Sequence, residues 1–300
     1  MKTLIHGKWL LVVCMMSLVG TVRGQLFVGE AGSVGEYTTS GATINASLTP
    51  PFGSAGLAIS GNDLFVAGGG GISEYTTSGA FVKVPLISGA GLGALGAMAV
   101  SGNDLFVGND SNGTIGEYTT SGATINASLI SGLTEPGGIA ISGNDLFVAN
   151  GNVIGEYTLS GATINASLIT GLGEPDGMVI VGNNLFVANF QTRTIGEYTT
   201  SGATVNASLI TGLDQPNGLA AIGNDLFVSN YDGVAGNGSV GEYTTSGATV
   251  NASLISGLYL PSCIIAVPEP ASWVLNGLGL SLLFCYLGAK GERARTSSNS

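Results

Sequence analysis

Charged side chains are scarce in this sequence, and basic ones are the scarcest. Only 9% of the 300 residues are charged, against about 25% in an average soluble protein. The 19 acids and 8 bases give a formal net charge of −11. Nucleic-acid backbones are bound by clustered lysine and arginine, so this composition excludes a nucleic-acid partner. Hydrophobic residues make up 44% of the chain, which excludes an acidic disordered segment.

The residue types that most often perform catalysis are nearly absent. The single histidine is His6, close to the N-terminus. Residues 25–267 therefore contain no Ser-His-Asp triad, no histidine base and no histidine-ligated metal. Cys263 is the only cysteine in that stretch, so no internal disulfide can form, and we expect a buried structural thiol. Lys83 and Arg193 are its only bases.

Residues 1–24 have the pattern of a secretory signal peptide. Two lysines lie in the first eight residues, and an apolar run over residues 9–19 follows. Val22 and Gly24 are small enough for the −3 and −1 positions of a signal-peptidase site. The mature chain is therefore predicted to begin at Gln25.

The C-terminal segment, residues 268–300, has three parts in order. Pro268, Glu269 and Pro270 come first, residues 271–289 carry no charge, and a short basic cluster follows. The uncharged stretch is long enough to cross a bilayer as a helix, so a plain membrane anchor is one interpretation. The three-part order also resembles the PEP-CTERM sorting signal of Gram-negative bacteria. That resemblance implies recognition by an exosortase-type membrane protease, removal of the tail, and delivery to the cell surface or the exopolysaccharide matrix.

The sequence between these ends is one unit of about 40 residues repeated six times. Each copy contains a Leu-Phe-Val triplet and a Glu-Tyr-Thr triplet. The phenylalanines are residues 27, 65, 106, 147, 186 and 227, and the glutamates are residues 36, 74, 117, 156, 197 and 242. A fixed period of this size is typical of solenoids and propellers.

One copy, which begins at Pro136, shows the content of the unit. Short apolar or alternating runs cover residues 138–141, 146–150, 154–158 and 162–169, with glycine-containing turns between them. No run has a helical period over ten residues. Four antiparallel strands per unit are typical of a propeller blade. The sequence thus predicts an all-β, six-bladed propeller over residues 25–267.

The repeats are out of phase with the chain ends. The first copy begins at its second strand, residues 26–28, and a spare first strand lies at residues 263–267. We therefore predict that the C-terminal strand and three N-terminal strands form one blade. This closure would tie both ends into one sheet and remove a weak seam.

The starts of the units carry a resemblance to known propellers. The segments are 136–140 (Pro-Gly-Gly-Ile-Ala), 175–178 (Pro-Asp-Gly-Met) and 216–219 (Pro-Asn-Gly-Leu). They resemble NHL-type six-bladed propellers and, more distantly, gluconolactonase-like propellers. The resemblance implies the fold and says little about activity, because propellers serve many functions.

One mouth of the predicted channel collects amide and carboxylate oxygens. First strands start and second strands end on the same face, close to the axis. Asp176 and Asn217 lie at the starts, whereas Glu30, Asn109, Asn150, Asn189 and Asn230 lie at the ends. We expect these side chains to form a ring around the channel mouth.

The ring permits two interpretations. Calcium takes six to eight oxygen ligands, and gluconolactonase-like enzymes hold a central divalent metal in this region. That similarity implies Glu30, Asn150, Asn189 and Asp176 as ligands for Ca²⁺. The alternative is that each asparagine caps its own turn, and the near-identity of the copies favours it.

The glutamates of the Glu-Tyr-Thr triplets fall on the third strand of each blade. Two bases cannot neutralise six glutamates, so we expect hydrogen bonds to nearby threonine and serine, or solvation.

The favoured function is that of a non-catalytic binding or structural protein at the cell surface or in the exopolysaccharide matrix. One alternative is a Ca²⁺-dependent, lactonase-like hydrolase with its site at the channel mouth. Another is a lectin, with Phe190 and Tyr231 as the aromatic candidates. Residues 25–270 hold 18 acids and 2 bases, a net charge of −16, which favours cationic over anionic partners.

Overall fold

The computed structural model describes residues 24–50, 55–89, 92–93 and 95–268, and every regular element in them is a β-strand. The N-terminal strands are β1 (Gly24–Gly29), β2 (Val34–Thr38) and β3 (Thr43–Asn45). Two complete blades follow: β4 (Gly56–Ser60), β5 (Asp63–Gly68), β6 (Gly71–Thr76) and β7 (Phe81–Ser88), then β8 (Leu95–Ser101), β9 (Asp104–Asn109), β10 (Thr114–Thr119) and β11 (Thr124–Ser131).

The second half of the described chain repeats the pattern three times and adds one strand. The fourth blade has β12 (Pro136–Ser142), β13 (Asp145–Asn150), β14 (Val153–Thr158) and β15 (Thr163–Ile169). The fifth has β16 (Pro175–Val181), β17 (Asn184–Asn189), β18 (Thr194–Thr199) and β19 (Thr204–Thr211). The sixth has β20 (Pro216–Ile222), β21 (Asp225–Asn230), β22 (Gly238–Thr244) and β23 (Thr249–Leu258), and β24 (Cys263–Pro268) ends the series.

The strands form six antiparallel sheets of four, which confirms the predicted six-bladed propeller. Five sheets take their strands in sequence order, and the sixth has the order β24-β1-β2-β3. In that sheet Phe27 pairs with Ile265 and Gly29 with Cys263. The predicted ring closure by one C-terminal and three N-terminal strands is therefore confirmed.

The predicted signal peptide and sorting tail lie almost entirely outside the described residues, so both stay predictions. Of the predicted signal peptide only Gly24 is described, as the first residue of β1, and of the tail only Pro268, the last residue of β24. In the part of the chain that the structure covers, no helix is long and apolar enough to cross a membrane. The span predicted for residues 271–289 falls beyond that part.

The hydrophobic core consists of six clusters, one between each pair of neighbouring blades. The phenylalanine of every Leu-Phe-Val triplet and the tyrosine of every Glu-Tyr-Thr triplet are buried. In one cluster, for example, Phe147 of the fourth blade packs with Tyr198 of the fifth. The repeated triplets thus supply the apolar surface that joins neighbouring blades.

The outer strand of each blade is protected at its free edge by an irregular register. In the fourth blade the pairing shifts between Ile154 and Glu156 and again before Tyr157. Asn165 Oδ1 accepts a hydrogen bond from the backbone N–H of Ser167 at 3.1 Å, inside the irregular segment. Bulges of this kind disturb the regular row of free backbone groups that another strand would need for pairing.

Candidate functional site

A central cavity of about 980 Å³ runs between the six innermost strands. Each innermost strand contributes an apolar side chain to its wall. These side chains are Ile59, Ala99, Ile139, Val179, Ala221 and Ile265. The propeller therefore encloses a large channel with both apolar and polar surface.

One position near the start of each innermost strand decides the polarity of the channel mouth. It lies three residues before the residue that pairs with the phenylalanine of the Leu-Phe-Val triplet, and it lines the cavity in every blade. Its occupants are Ala55, Gly96, Gly137, Asp176, Asn217 and Ser262. Three consecutive blades thus place an alanine or a glycine at the mouth, and the next three place polar groups there.

The three polar groups are linked by hydrogen bonds. With its amide nitrogen facing two acceptors, Asn217 donates to Asp176 Oδ2 at 2.9 Å and to the Ser262 carbonyl oxygen. Asp176 is surrounded by protein, although the channel still admits solvent to it. Burial raises the pKa of Asp176 to about 7, and the nearby Asp110 carboxylate adds to the rise. Near neutral pH this carboxyl therefore exchanges a proton.

Three more carboxylates lie in the cavity lining at the same mouth: Asp110, Glu135 and Glu174. Burial raises the pKa of Asp110, and the negative charge of Glu135 contributes. Glu174 accepts a hydrogen bond from Gln191 Nε2. The mouth is thus strongly acidic.

Two aromatic rings lie on the acidic side of the mouth. Phe190 lines the cavity in the turn after β17, and Tyr231 occupies the matching turn after β21. Their ring centroids are 6.4 Å apart, and both residues are half-buried. The structure therefore brings together the two aromatic candidates that the sequence suggested.

The predicted ring of asparagines is placed differently from the expectation. Among the described residues that line the cavity, Asp176 and Asn217 appear, whereas the residues at the ends of the second strands do not. Those absent are Glu30, Asn109, Asn150, Asn189 and Asn230.

Three of these residues instead bond to the linkers that enter the innermost strands. Asn150 Oδ1 accepts from Thr134 N–H at 2.5 Å, and Asn189 Oδ1 accepts from Gly173 N–H at 3.4 Å. Glu30 Oε2 has the same role at the ring closure, where it accepts from the Tyr259 N–H at 2.6 Å. Successive side chains of a strand point to opposite sides. The residue that follows each of these strand-end positions therefore faces the channel. Asp110 and Phe190 are such residues.

This placement bears on the calcium hypothesis. Of the four implied ligands only Asp176 faces the cavity, and oxygens of the other three are engaged by linker N–H groups. As placed, the four residues do not form one donor set. In the described ranges no group of three or more histidine, cysteine or acidic side chains has the arrangement of a metal site. Calcium binding through these four residues stays a prediction.

The glutamates of the Glu-Tyr-Thr triplets find partners on the second strand. Gln25 Nε2 donates to Glu36 at 2.8 Å, and Asn184 Nδ2 donates to Glu197 at 2.7 Å. The sequence predicts hydrogen bonds to threonine and serine, or solvation, whereas these two partners are amides. In the other four blades an aspartate holds the position of this amide, namely Asp63, Asp104, Asp145 and Asp225. There burial raises the pKa of the glutamate, and the aspartate charge adds to the rise.

Sequence reasoning missed part of the mouth. Ser262, Asp110, Glu135 and Glu174 were not among the predicted site residues, and all four line the cavity. A signal was present for Ser262, because Pro261-Ser262 aligns with Pro175-Asp176 and Pro216-Asn217. Cys263 was expected to lie buried on an innermost strand. It does lie on β24, but it also lines the cavity and is only partly buried, and Ser262 Oγ donates to Cys263 Sγ at 3.8 Å.

Comparisons with known proteins support the fold but do not indicate an activity. No protein-family model matches the chain, and no curated protein sequence matches it. The nidogen component of a nidogen/laminin complex matches at a TM-score of 0.69 and 14% identity over 81% of this chain and 98% of that one. A streptogramin B lyase matches at 0.54 and 20% identity over 76% and 73% of the two chains.

A third solved structure also resembles the chain. It is a catalytically inactive histidine-to-alanine variant of virginiamycin B lyase from Staphylococcus aureus with quinupristin, at a TM-score of 0.54 and 22% identity. The match covers 67% of this chain and 70% of that one. At these identities the likeness establishes a shared β-propeller fold and no activity.

Proposed function

We propose that this chain is an exported, non-catalytic propeller that binds a ligand in its central cavity at the cell surface or in the exopolysaccharide matrix. The observation that carries the proposal is the cavity itself, about 980 Å³ in volume, with apolar side chains from every innermost strand and a polar mouth. Large apolar pockets with a few convergent polar groups are the usual form of ligand sites.

The lack of catalytic groups supports binding over turnover. The only histidine of the sequence is His6, whereas the structurally similar virginiamycin B lyase variant that carries alanine in place of a histidine is inactive. A lyase reaction that depends on such a histidine has no counterpart residue here.

Export and sorting rest on the two ends of the sequence. The N-terminal segment has the pattern of a signal peptide, and Pro268-Glu269-Pro270 precedes an uncharged stretch and a basic cluster. We propose an exosortase-type protease as the processing partner and transient attachment to the inner membrane before the tail is removed. Fractionation of the native host with an antibody to the propeller tests this. Surface or matrix recovery is expected, and recovery in the cytoplasm would contradict the proposal.

A hydrolase, such as a Ca²⁺-dependent lactonase, is the second candidate. Its support is Asp176, whose pKa of about 7 suits proton transfer at neutral pH. A panel of lactones with and without Ca²⁺ separates the two candidates. Turnover that is lost in Asp176→Asn would establish the hydrolase and refute a purely binding role, whereas no turnover on the panel is the result that we expect.

A further inference from the structure

The ligand class follows from how charge and aromatic groups are placed in the cavity. Resting on the binding role proposed above, we propose that the cavity binds an organic ammonium ion, with its charged group at Asp176 and its apolar body along the channel wall.

The first argument is an unbalanced charge. Four carboxylates line the mouth, on Asp110, Glu135, Glu174 and Asp176, and the described lining contains no lysine or arginine. The two bases of the described propeller lie away from the mouth. Lys83 lies on the outer strand β7, opposite Glu74 in the β6–β7 register, and Arg193 Nη1 lies 3.8 Å from Asp214 Oδ1. A concave surface with carboxylates alone attracts cations.

The second argument separates an organic cation from a bare metal ion. Calcium requires six to eight oxygen ligands, yet the amide of Asn217 turns its nitrogen toward Asp176, and three of the six mouth positions hold glycine or alanine. An ammonium group needs only a few hydrogen-bond acceptors. Its carbon skeleton can also use the apolar wall, which offers nothing to a hydrated ion.

The third argument is the aromatic pair. Phe190 lines the cavity, and its ring centroid lies 6.4 Å from that of Tyr231. Aromatic faces attract ammonium groups through the ring quadrupole, at about 0.5–2 kcal/mol depending on solvation. The carboxylates and the rings therefore favour the same chemical group on the same side of the mouth.

Glycines lie beside two of the carboxylates at the mouth. A Cβ added at Gly137 would lie 3.6 Å from Asp176 Oδ1, and one at Gly96 would lie 3.4 Å from Asp110 Oδ1. Each of these carboxylates is thus in reach of a small residue on an innermost strand. Larger side chains at these two positions would narrow the entrance.

Three probes with one carbon skeleton test the proposal on the purified full chain. They are 4-phenylbutylamine, 4-phenylbutan-1-ol and 4-phenylbutanoate, titrated by calorimetry at pH 8 and low salt. We expect the amine to bind at least tenfold more tightly than the alcohol, and the carboxylate to bind more weakly than both. A neutral sugar, glucose, tests the lectin alternative in the same experiment.

Two variants locate the interaction. Asp176→Asn removes the central charge and should weaken amine binding about tenfold or more while leaving alcohol binding unchanged. Asp145→Asn makes the same change at a residue of the second strand that does not line the cavity and should alter neither. The bound amine should also protect Cys263 from a thiol reagent, as read by peptide mass mapping, because this thiol lines the cavity.

The outcomes separate this inference from the proposed function. Equal binding of amine and alcohol, unchanged in Asp176→Asn, would overturn the ammonium assignment and leave a binding cavity in place. Binding of glucose but not of the amine would replace it with a carbohydrate site. If no probe binds, the ammonium inference is refuted, whereas the surface or matrix role is judged by fractionation alone.

Discussion

Glu30 and Tyr259 are 229 residues apart in sequence, yet the backbone N–H of Tyr259 donates a 2.6 Å hydrogen bond to Glu30 Oε2. The backbone N–H of Ala31 returns a bond to the Tyr259 carbonyl oxygen at 3.0 Å. The same linker contact is made by Asn150 in the fourth blade, but there the two blades are joined by continuous chain. At Glu30 it joins the two ends of the propeller.

We therefore expect Glu30→Ala to destabilise the fold by about 1–3 kcal/mol, because it leaves a linker N–H without its acceptor. Urea unfolding followed by circular dichroism measures the change. Glu30→Gln keeps an acceptor oxygen, so its free energy of unfolding should fall much less. Asn150→Ala, at the equivalent position away from the ring closure, is the matched comparison. Equal losses in Glu30→Gln and Glu30→Ala would refute the role of this hydrogen bond.

Asp176 should make stability depend on pH near neutrality. Burial raises the pKa of Asp176 to about 7, so the folded state holds a proton that the unfolded state has released. This contribution is complete below the unfolded pKa and is lost as the pH rises through 7. Asp176→Asn should therefore be more stable than the natural chain at pH 8, by about 1–3 kcal/mol, and nearly equal to it at low pH.

Thermal unfolding of both proteins between pH 5 and pH 8 measures this difference. A variant that is less stable at every pH would show that the carboxylate stabilises the fold, for instance through Asn217. A stabilising substitution that also abolishes ammonium binding would indicate that Asp176 is retained for its ligand rather than for the fold.

In four blades an aspartate faces the glutamate of the Glu-Tyr-Thr triplet. These blades should gain stability when the aspartate is replaced by an amide, as in the Asn184–Glu197 pair of the fifth blade. Asn184 donates to Glu197 at 2.7 Å, whereas Asp104 faces Glu117 in the third blade. Burial raises the pKa of Glu117, and the Asp104 charge contributes, so this carboxyl stabilises the fold most below its unfolded pKa and loses that effect as the pH rises.

Asp104→Asn should raise the unfolding free energy at pH 7 by about 0.2–1 kcal/mol, the size of a partly exposed pair. The reverse change, Asn184→Asp, should lower it by a similar amount. The gain of Asp104→Asn should shrink toward pH 4. Denaturant unfolding at the two pH values is the measurement, and a gain that is independent of pH would contradict the electrostatic explanation.

The fold was readable from the sequence because its signals repeat. Phe147 and Tyr157 recur in every copy at positions that join neighbouring blades, so the period and the strand number reinforce each other. The ring closure could be predicted because the first copy lacks a first strand and a spare first strand lies at the C-terminal end. Phe27 and Ile265, from these two ends, pair in the structure.

The site was only partly readable, because it depends on the direction of side chains at strand ends. Asn150 and Asn189 were placed on the correct face but one residue away from the positions that look into the channel. The neighbouring Asp110 and Phe190 have that direction. A shift of one residue along a strand moves a side chain to the opposite side of the sheet. Where a strand runs into a turn, the sequence pattern does not show which of two adjacent residues faces the channel.

Because the innermost strands approach each other closely, Gly138 should be required for the position of Asp176 at the mouth. A Cβ at Gly138 would overlap the carbonyl oxygen of Asp176 on the next strand, and backbone of a packed strand cannot move aside easily. Gly138→Ala should therefore cost about 1–3 kcal/mol and displace Asp176, which weakens binding of the amine probe. Gly32→Ala is the matched control, because nothing lies within 4 Å of its added Cβ. Urea unfolding and calorimetry on both variants decide the matter. A Gly138→Ala protein as stable as Gly32→Ala, with unchanged binding, would show that the strands separate freely at the mouth.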